Sequence, residues 1–292
     1  MTAARRRGKG STRLFREPAS RRVLTAGATA AYAPRAMAGS AVRLEIDGPV
    51  ARVTLNRPEV LNAGDPGWVA ELNDAVGCIG GRSDLRLAVV TGAGRAFSTG
   101  VDLRALADGR MRLPHFVAWE DAMTAIERMP LPFVAAINGH CLGGGLQLAL
   151  VCDYRLAATE ATIGLPAVKE CLIPSMSLYR LPRLIGGSRA AELILTGEPI
   201  SAARAEAIGL VHRVVPAADF ARATEECVAR FLALPATSVT WSKRLLTRAF
   251  DLEFDAFRRE MEAGLRDCLD SAEHRAAMEA LRKPATGAKP VR

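Results

Sequence analysis

The sequence lacks the marks of a zinc protein, a disulfide-stapled domain or a membrane span. Its 292 residues include six cysteines, Cys78, Cys141, Cys152, Cys171, Cys227 and Cys268, but no C-x-x-C pair. The four histidines, His115, His140, His212 and His274, share no spacing and form no cluster. No metal site is therefore expected, and free thiols point to a reducing compartment, the cytoplasm. Long apolar runs are also missing: the longest window, near 131–151, is broken by Asn138, His140, four glycines and Gln147, which makes it a poor bilayer span. A basic face is absent too, despite a formal net charge of +8. Residues 1–40 hold nine of the 39 Lys and Arg and one of the 31 acids, Glu17, so residues 41–292 carry 30 of each sign. The remainder offers no electrostatic footprint for nucleic acid or an anionic membrane.

What is present is an ordinary globular composition, 49% hydrophobic and 24% charged, behind an unusual head. Residues 1–40, rich in Arg, Ala, Ser and Thr, have no sustained apolar period and read as a disordered basic tail. Such a head resembles either an organellar leader or sequence upstream of a start at Met37. From Val42 the pattern changes to alternation, Val42 to Ile46 and Val50 to Leu55 around Asp47-Gly48-Pro49, which predicts a β-hairpin. Asp65-Pro66 opens a helix in cap-then-proline order, running to about Cys78. Leu85 to Thr91 predicts a strand buried on both faces.

Two glycine-rich stretches follow strands and open helices. The first is Thr91-Gly92-Ala93-Gly94-Arg95-Ala96-Phe97-Ser98-Thr99-Gly100-Val101-Asp102-Leu103. It fails as a dinucleotide fingerprint because Phe97 stands where the third glycine belongs. It also fails as a nucleophile elbow around Ser98, whose first glycine is missing. The second, Asn138-Gly139-His140-Cys141-Leu142-Gly143-Gly144-Gly145-Leu146-Gln147, lets a backbone approach a ligand closely with free N–H groups. Together they suggest two N–H donors converging on one oxygen.

With L-N-R-P-x-x-x-N-A at 55–63, F-S-x-G-x-D-L at 97–103, N-G-x-x-x-G-G-G at 138–145, Cys152-Asp153, Gly164-Leu165-Pro166 and Ala207-x-Gly209-Leu210-Val211, the chain resembles the crotonase superfamily of enoyl-CoA hydratases and isomerases. The resemblance covers about 42–284. It implies an α/β fold, a spiral of ββα units over 41–235, and a helical region over 236–284 that builds a homotrimer or homohexamer, with 285–292 a loose tail. It also implies an acyl-CoA substrate and no separate cofactor. The oxyanion donors would be the N–H groups of Val101 and Gly144. Ser98, Gly100, Asp102, Leu103, Arg104, Gly143, Gln147 and Ala167 would contact substrate or CoA, with Arg104 near a phosphate.

The departures from the family pattern matter as much. Where hydratases carry two glutamates, this chain has Gln147 and Ala167, and neither an amide nor a methyl group exchanges protons near neutral pH. Standard hydration is therefore not expected; isomerisation, decarboxylation, cyclisation or addition and elimination on an unusual acyl-CoA is. A non-catalytic acyl-CoA-binding or scaffold subunit is the alternative. A replacement acid or base is sought on the helix around 115–126, where Glu120 borders the stripe Phe116, Trp119, Met123 and Ile126. With Thr124 offering no charge, Glu120 is expected to act as an unpaired proton-transfer group, with Glu170 and Tyr179 next in line. Ser175 is expected to cap a helix, and Asp153 to tether backbone beneath the glycine turn. Beyond Gly187 the pattern is helical, with a short strand over 210–214.

Overall fold

The computed structural model describes residues 40–282. The predicted basic tail, apart from Ser40, and residues 283–292 lie outside the described residues. Strand β1 (Val42–Asp47) turns into β2 (Val50–Leu55), with Val42 opposite Leu55. Helix α1 (Pro66–Gly80) follows, then β3 (Leu87–Gly92), β4 (Ala96–Ser98), α2 (Leu103–Ala107) and α3 (Leu113–Arg128). The next turn is β5 (Phe133–Ile137), β6 (His140–Leu142) and α4 (Gly144–Leu150). The third is β7 (Tyr154–Ala158), β8 (Thr162–Gly164), a 3-10 turn Pro166–Glu170, α5 (Ser177–Ile185) and α6 (Gly187–Thr196). Then come β9 (Ile200–Ser201), α7 (Ala202–Ala207), β10 (Arg213–Val215), α8 (Phe220–Leu232), α9 (Ala236–Arg248), α10 (Phe254–Asp270) and α11 (Ala272–Arg282).

Successive turns of the chain give one strand to each of two sheets. The larger has the order β1-β2-β3-β5-β7-β10, parallel from β2 onward, and the smaller the order β4-β6-β8-β9. This is the α/β spiral the motifs imply. Parallel strands covered on both faces need no polar alternation, and β5, Phe-Val-Ala-Ala-Ile, is buried at every position. Helix α1 starts where Asp65 accepts from the Trp68 N–H at 2.9 Å. It turns Trp68, Val69, Leu72, Val76 and Ile79 inward at helical spacing, each such side chain contributing roughly 1.5–3 kcal/mol.

Four local expectations shift. The strand expected at 85–91 is Leu87–Gly92, since the Arg86 and Leu87 N–H groups both donate to the Pro49 carbonyl, a turn contact. The strand expected at 210–214 is Arg213–Val215, because the Leu210 carbonyl is taken by Arg155 Nε at 2.8 Å. Ser175 caps nothing: its φ is +39°, and α5 begins two residues later. Asp153 tethers backbone at the start of β5 rather than beneath the glycine turn, accepting from the Phe133 N–H at 2.7 Å, and also holds Lys243 of α9 at 2.8 Å. Lys243 further donates to the carbonyls of Ile126 and Leu131, at 3.1 and 2.8 Å, so one buried ammonium docks α9 on the core. It is the one buried residue of α9, Gly264 the one buried residue of α10, and α11 buries none. Leu246, Phe250, Phe254, Leu265, Leu269 and Leu281 of this region stand exposed.

Candidate active site

The glycine loops are held by side chains of the segment before them. Leu61 and Asn62 both adopt the left-handed conformation, φ +56° and +57°. Fully buried Asn62 accepts from the Arg57 N–H at 2.8 Å and donates to the carbonyls of Ala93 and Ala96 at 2.9 and 2.8 Å. Arg57 donates to the Ala63 carbonyl at 2.6 Å, and its Nη2 lies 3.3 Å from both Asp65 and Asp102. Asp102 caps α2, accepting from the Arg104 and Ala105 N–H groups, each at 3.1 Å. Burial pushes the Asp102 carboxyl up, but the Ala105 N–H and Arg57 outweigh it and hold the group below its ordinary value. From the other side, Asn138 accepts from the Gly92 N–H at 3.1 Å and donates to the Gly94 carbonyl at 2.9 Å.

This bracing brings the two predicted donors to one wall. Gly64 and Val101 form a single parallel bridge, with the Gly64 N–H on the Gly100 carbonyl at 2.7 Å and the Asp102 N–H on the Gly64 carbonyl at 2.9 Å. That pattern turns the N–H of Val101 itself away from Gly64. Neither the Val101 nor the Gly144 N–H donates to any group among the described residues. The two loops touch at Gly100, φ +90°, where an added Cβ would lie 2.6 Å from the Gly144 nitrogen. A Cβ on Gly144 would meet the Trp119 ring at 2.7 Å.

A cavity of about 570 Å³ opens over this wall. Of the predicted site residues, Val101, Asp102, Leu103, Arg104, Gly143, Gly144, Gln147 and Ala167 line it, while Ser98, Gly100 and Glu120 do not. Ser98 and Gly100 act one layer behind as braces: the buried Ser98 hydroxyl donates to the Asn62 carbonyl at 2.9 Å and accepts from the Gly100 N–H at 3.2 Å. The facing wall is apolar, Phe116, Trp119 and Met123 of α3 with Leu172 and Ile173. The carboxylates on the lining are Glu59, Asp102 and Glu170.

Glu120 is not the unpaired carboxylate its sequence suggests. Arg180 of α5 reaches across to it at 2.7 Å and clasps Glu127, one helical repeat further on, at 3.0–3.2 Å. Desolvation lowers the Arg180 guanidinium, yet these carboxylates raise it above its ordinary value. A guanidinium contributed from a distant helix leaves no local signal, so the sequence shows the carboxylate but not its partner. Tyr179 is also placed elsewhere, its hydroxyl on Asp251 and its ring under Arg183 at 3.4 Å. Glu170 alone of the three candidates lines the cavity. Ala167 and Glu170 share the 3-10 turn, in which residues three apart eclipse one another. Among the described residues no His, Cys, Asp and Glu cluster could hold a metal ion, and no helix is long and apolar enough to cross a membrane.

A family model described as enoyl-CoA hydratase/isomerase matches residues 45–284. The chain is 37% identical over 262 residues to the (E)-benzylidenesuccinyl-CoA hydratase of Thauera aromatica, covering 84% of this chain and 98% of the relative. It is 32% identical over 247 residues to the short-chain-enoyl-CoA hydratase of Clostridium acetobutylicum, covering 82% and 93%. The crystal structure of an enoyl-CoA hydratase from Bacillus anthracis superposes with a TM-score of 0.78 at 29% identity, over 83% of this chain and 96% of that one.

Proposed function

The chain belongs to the enoyl-CoA hydratase/isomerase family, in the crotonase superfamily, and from that premise we propose that it is an enzyme of thioester enolate chemistry other than standard two-glutamate hydration. The observation that carries this reading is the pair of unengaged N–H groups, Val101 and Gly144, on one wall of the cavity. Aimed at a thioester oxygen, each stabilises the developing negative charge by about 3–4 kcal/mol. Asp102, Leu103 and Arg104 then flank the CoA end, and Gln147 and Ala167 the reacting carbons. Because Gln147 and Ala167 carry no exchangeable proton, Glu170 transfers it. It stands one 3-10 turn past Ala167, roughly 6 Å along the axis, so it serves a carbon other than the one a glutamate at 167 would serve. Isomerisation, decarboxylation, cyclisation and addition or elimination all fit such a displaced carboxylate.

The parts are groups of the chain itself, with acyl-CoA as substrate and no separate cofactor. The exposed apolar faces of α9, α10 and α11 associate with copies of the chain as a homotrimer or homohexamer, and the free thiols suit the cytoplasm. Replacement of both family glutamates favours, as a second reading, a subunit that binds acyl-CoA without turning it over. Glu170→Gln separates the two. Turnover of an accepted acyl-CoA should fall by about 10²–10⁴, measured by steady-state kinetics beside calorimetric CoA-thioester affinity. Parent-like turnover would remove Glu170, and binding without turnover across short, branched and aromatic acyl groups would establish the second reading.

A further inference from the structure

The two donor loops share backbone pairing only behind the site. Strand β4 pairs with β6 as far as Ser98 opposite Cys141, and past that register no backbone hydrogen bond joins residues 100–102 to residues 143–145 among the described residues. The separation of the Val101 and Gly144 N–H groups is therefore left to packing, and two contacts set it. One is Gly100, where the loops touch: a Cβ on Gly144 would lie 3.3 Å from the Gly100 Cα. The other is the Trp119 ring. A Cβ on Gly64 would lie 2.8 Å from its Cη2 and 2.9 Å from its Cζ3, and a Cβ on Gly144 2.7 Å from Cη2 and from Cζ2. The tip atom Cη2 thus meets Gly64 on its Cζ3 side and Gly144 on its Cζ2 side. Gly64 carries the first donor with it, since its N–H and its carbonyl hold the Gly100 carbonyl and the Asp102 N–H on either side of Val101.

Resting on the enolate reading above, we propose that Trp119 is a positioning residue whose ring tip is the wedge between the two donor loops, setting the angle at which the Val101 and Gly144 N–H groups converge. The ring is itself fixed. Trp119 is 4% exposed, and its ring centroid lies 4.8 Å from that of fully buried Trp68 on α1, at 55°. Asn73 of α1 donates to the Ala118 carbonyl at 3.0 Å, and Arg180 of α5 holds Glu120 at 2.7 Å, so both chain neighbours of Trp119 are tied to other helices. An interior packed this closely transmits small shifts rather than absorbing them. The wedge also accounts for two glycines at once. Neither Gly64 nor Gly144 is at positive φ, so neither is required by its own backbone conformation; a side chain at either would enter the indole. Oxyanion donors act from about 2.7–3.1 Å, and hydrogen bonds weaken steeply as the angle closes. A shift of the wedge therefore alters how far the thioester carbonyl is polarised.

The test is the carbonyl stretch of butyryl-CoA, isotope-labelled at the thioester carbon, read by difference infrared spectroscopy on the full chain with its affinity measured by calorimetry. In the parent the bound band should stand below that of the free thioester. Trp119→Phe, whose ring ends short of Cη2, should lose roughly half or more of that displacement, with affinity reduced by no more than about tenfold. Gly64→Ala pushes on the ring from the other side and should lose displacement too. Combined with Trp119→Phe, its methyl group fills the vacated space, and the band should move back toward the parent position, a coupling that independent sites do not show. A parent-like band in Trp119→Phe overturns the wedge and leaves the enolate reading intact. So does a loss that the double variant fails to recover, since the ring would then act by touching the acyl group alone. A parent band at the free position, or no binding of butyryl-CoA, sinks the enolate reading and the wedge with it. Should Trp119→Phe fail to fold, Gly64→Ala decides alone, a parent-like band there overturning the wedge.

Discussion

The two walls of the cavity are built by different means. The glycine wall is backbone held by backbone and by short polar side chains: Asn62, Ser98, Asp102 and Asn138 each bond to main-chain groups near a loop, and Arg57 ties two helix caps together. The acyl wall is side chain held by side chain, with Phe116, Trp119 and Met123 on one helix and the Arg180, Glu120 and Glu127 ion network fastening α3 to α5. Leu172 and Ile173 of the same wall lie between two non-glycine residues at positive φ, Cys171 at +56° and Ser175 at +39°. A wall that must place N–H groups within tenths of an ångström tolerates no substitution in its backbone. A wall that must fit one acyl group among many can change its side chains and keep the fold. Gln147 and Ala167 stand where those two demands meet.

The strongest way to break this contrast is Gly100→Ala. The new methyl group would need a left-handed backbone and would stand 2.6 Å from the Gly144 nitrogen, so one donor must move. Loss of a single oxyanion donor costs about 10²–10³ in turnover, and displacement of the loop should bring the loss to the upper end. Steady-state kinetics and circular dichroism check it together. Retained activity with a native spectrum would show that the loops do not form the reacting wall. Asn62→Ala attacks the same wall from behind, taking the Asn62 side chain from the Arg57 N–H and the Ala93 carbonyl, leaving the Ala96 carbonyl to Asn138 at 3.3 Å, and putting an alanine in the left-handed region. A stability loss of about 3 kcal/mol is expected from urea unfolding.

The acyl wall should respond in the opposite sense. Glu120→Gln keeps the shape but removes one charge from Arg180, whose side chain is 8% exposed. We expect a stability loss of about 1–2 kcal/mol with turnover within about threefold of the parent. A large fall in turnover at unchanged stability would return Glu120 to the proton-transfer role its sequence position suggests.

The glycine wall was legible in the sequence because each of its parts has a local requirement: a positive φ, a cap, or a close approach that one or two residue types satisfy. The motif residues from Leu55 to Ala63 and from Phe97 to Leu103 could therefore be aligned with a role before any coordinates. Ser98 and Gly100 show the limit of that reading. Motif position says that a residue serves a loop, but not whether it faces the ligand or braces from behind. The acyl wall was legible only as a stripe. Phe116, Trp119 and Met123 announce a helix face, yet nothing near Glu120 announces Arg180, and nothing near Ala167 announces that the turn is 3-10 and stacks Glu170 over it. Those facts arise from packing between segments distant in sequence, where many residue types would serve equally well.

Acid offers the mildest way to separate the walls, through Asp102. Its folded carboxyl is held below the ordinary value of 3.8 although burial opposes this, because the Ala105 N–H and Arg57 favour the charged form. A depressed carboxyl contributes stability that is complete above the unfolded value and is lost as pH falls through the folded one. Protonation below about pH 3.8 therefore releases Arg57 and uncaps α2, loosening the glycine wall, while neutral pH leaves it untouched. Asp102→Asn removes that titration but keeps a capping oxygen. The variant should be less stable than the parent by about 1 kcal/mol at pH 7, and the gap should close as both are unfolded in urea at successively lower pH. A gap that stays constant down to pH 3 would mean that the Asp102 charge contributes nothing to this wall, and that Arg57 is held by Asp65 and the Ala63 carbonyl alone.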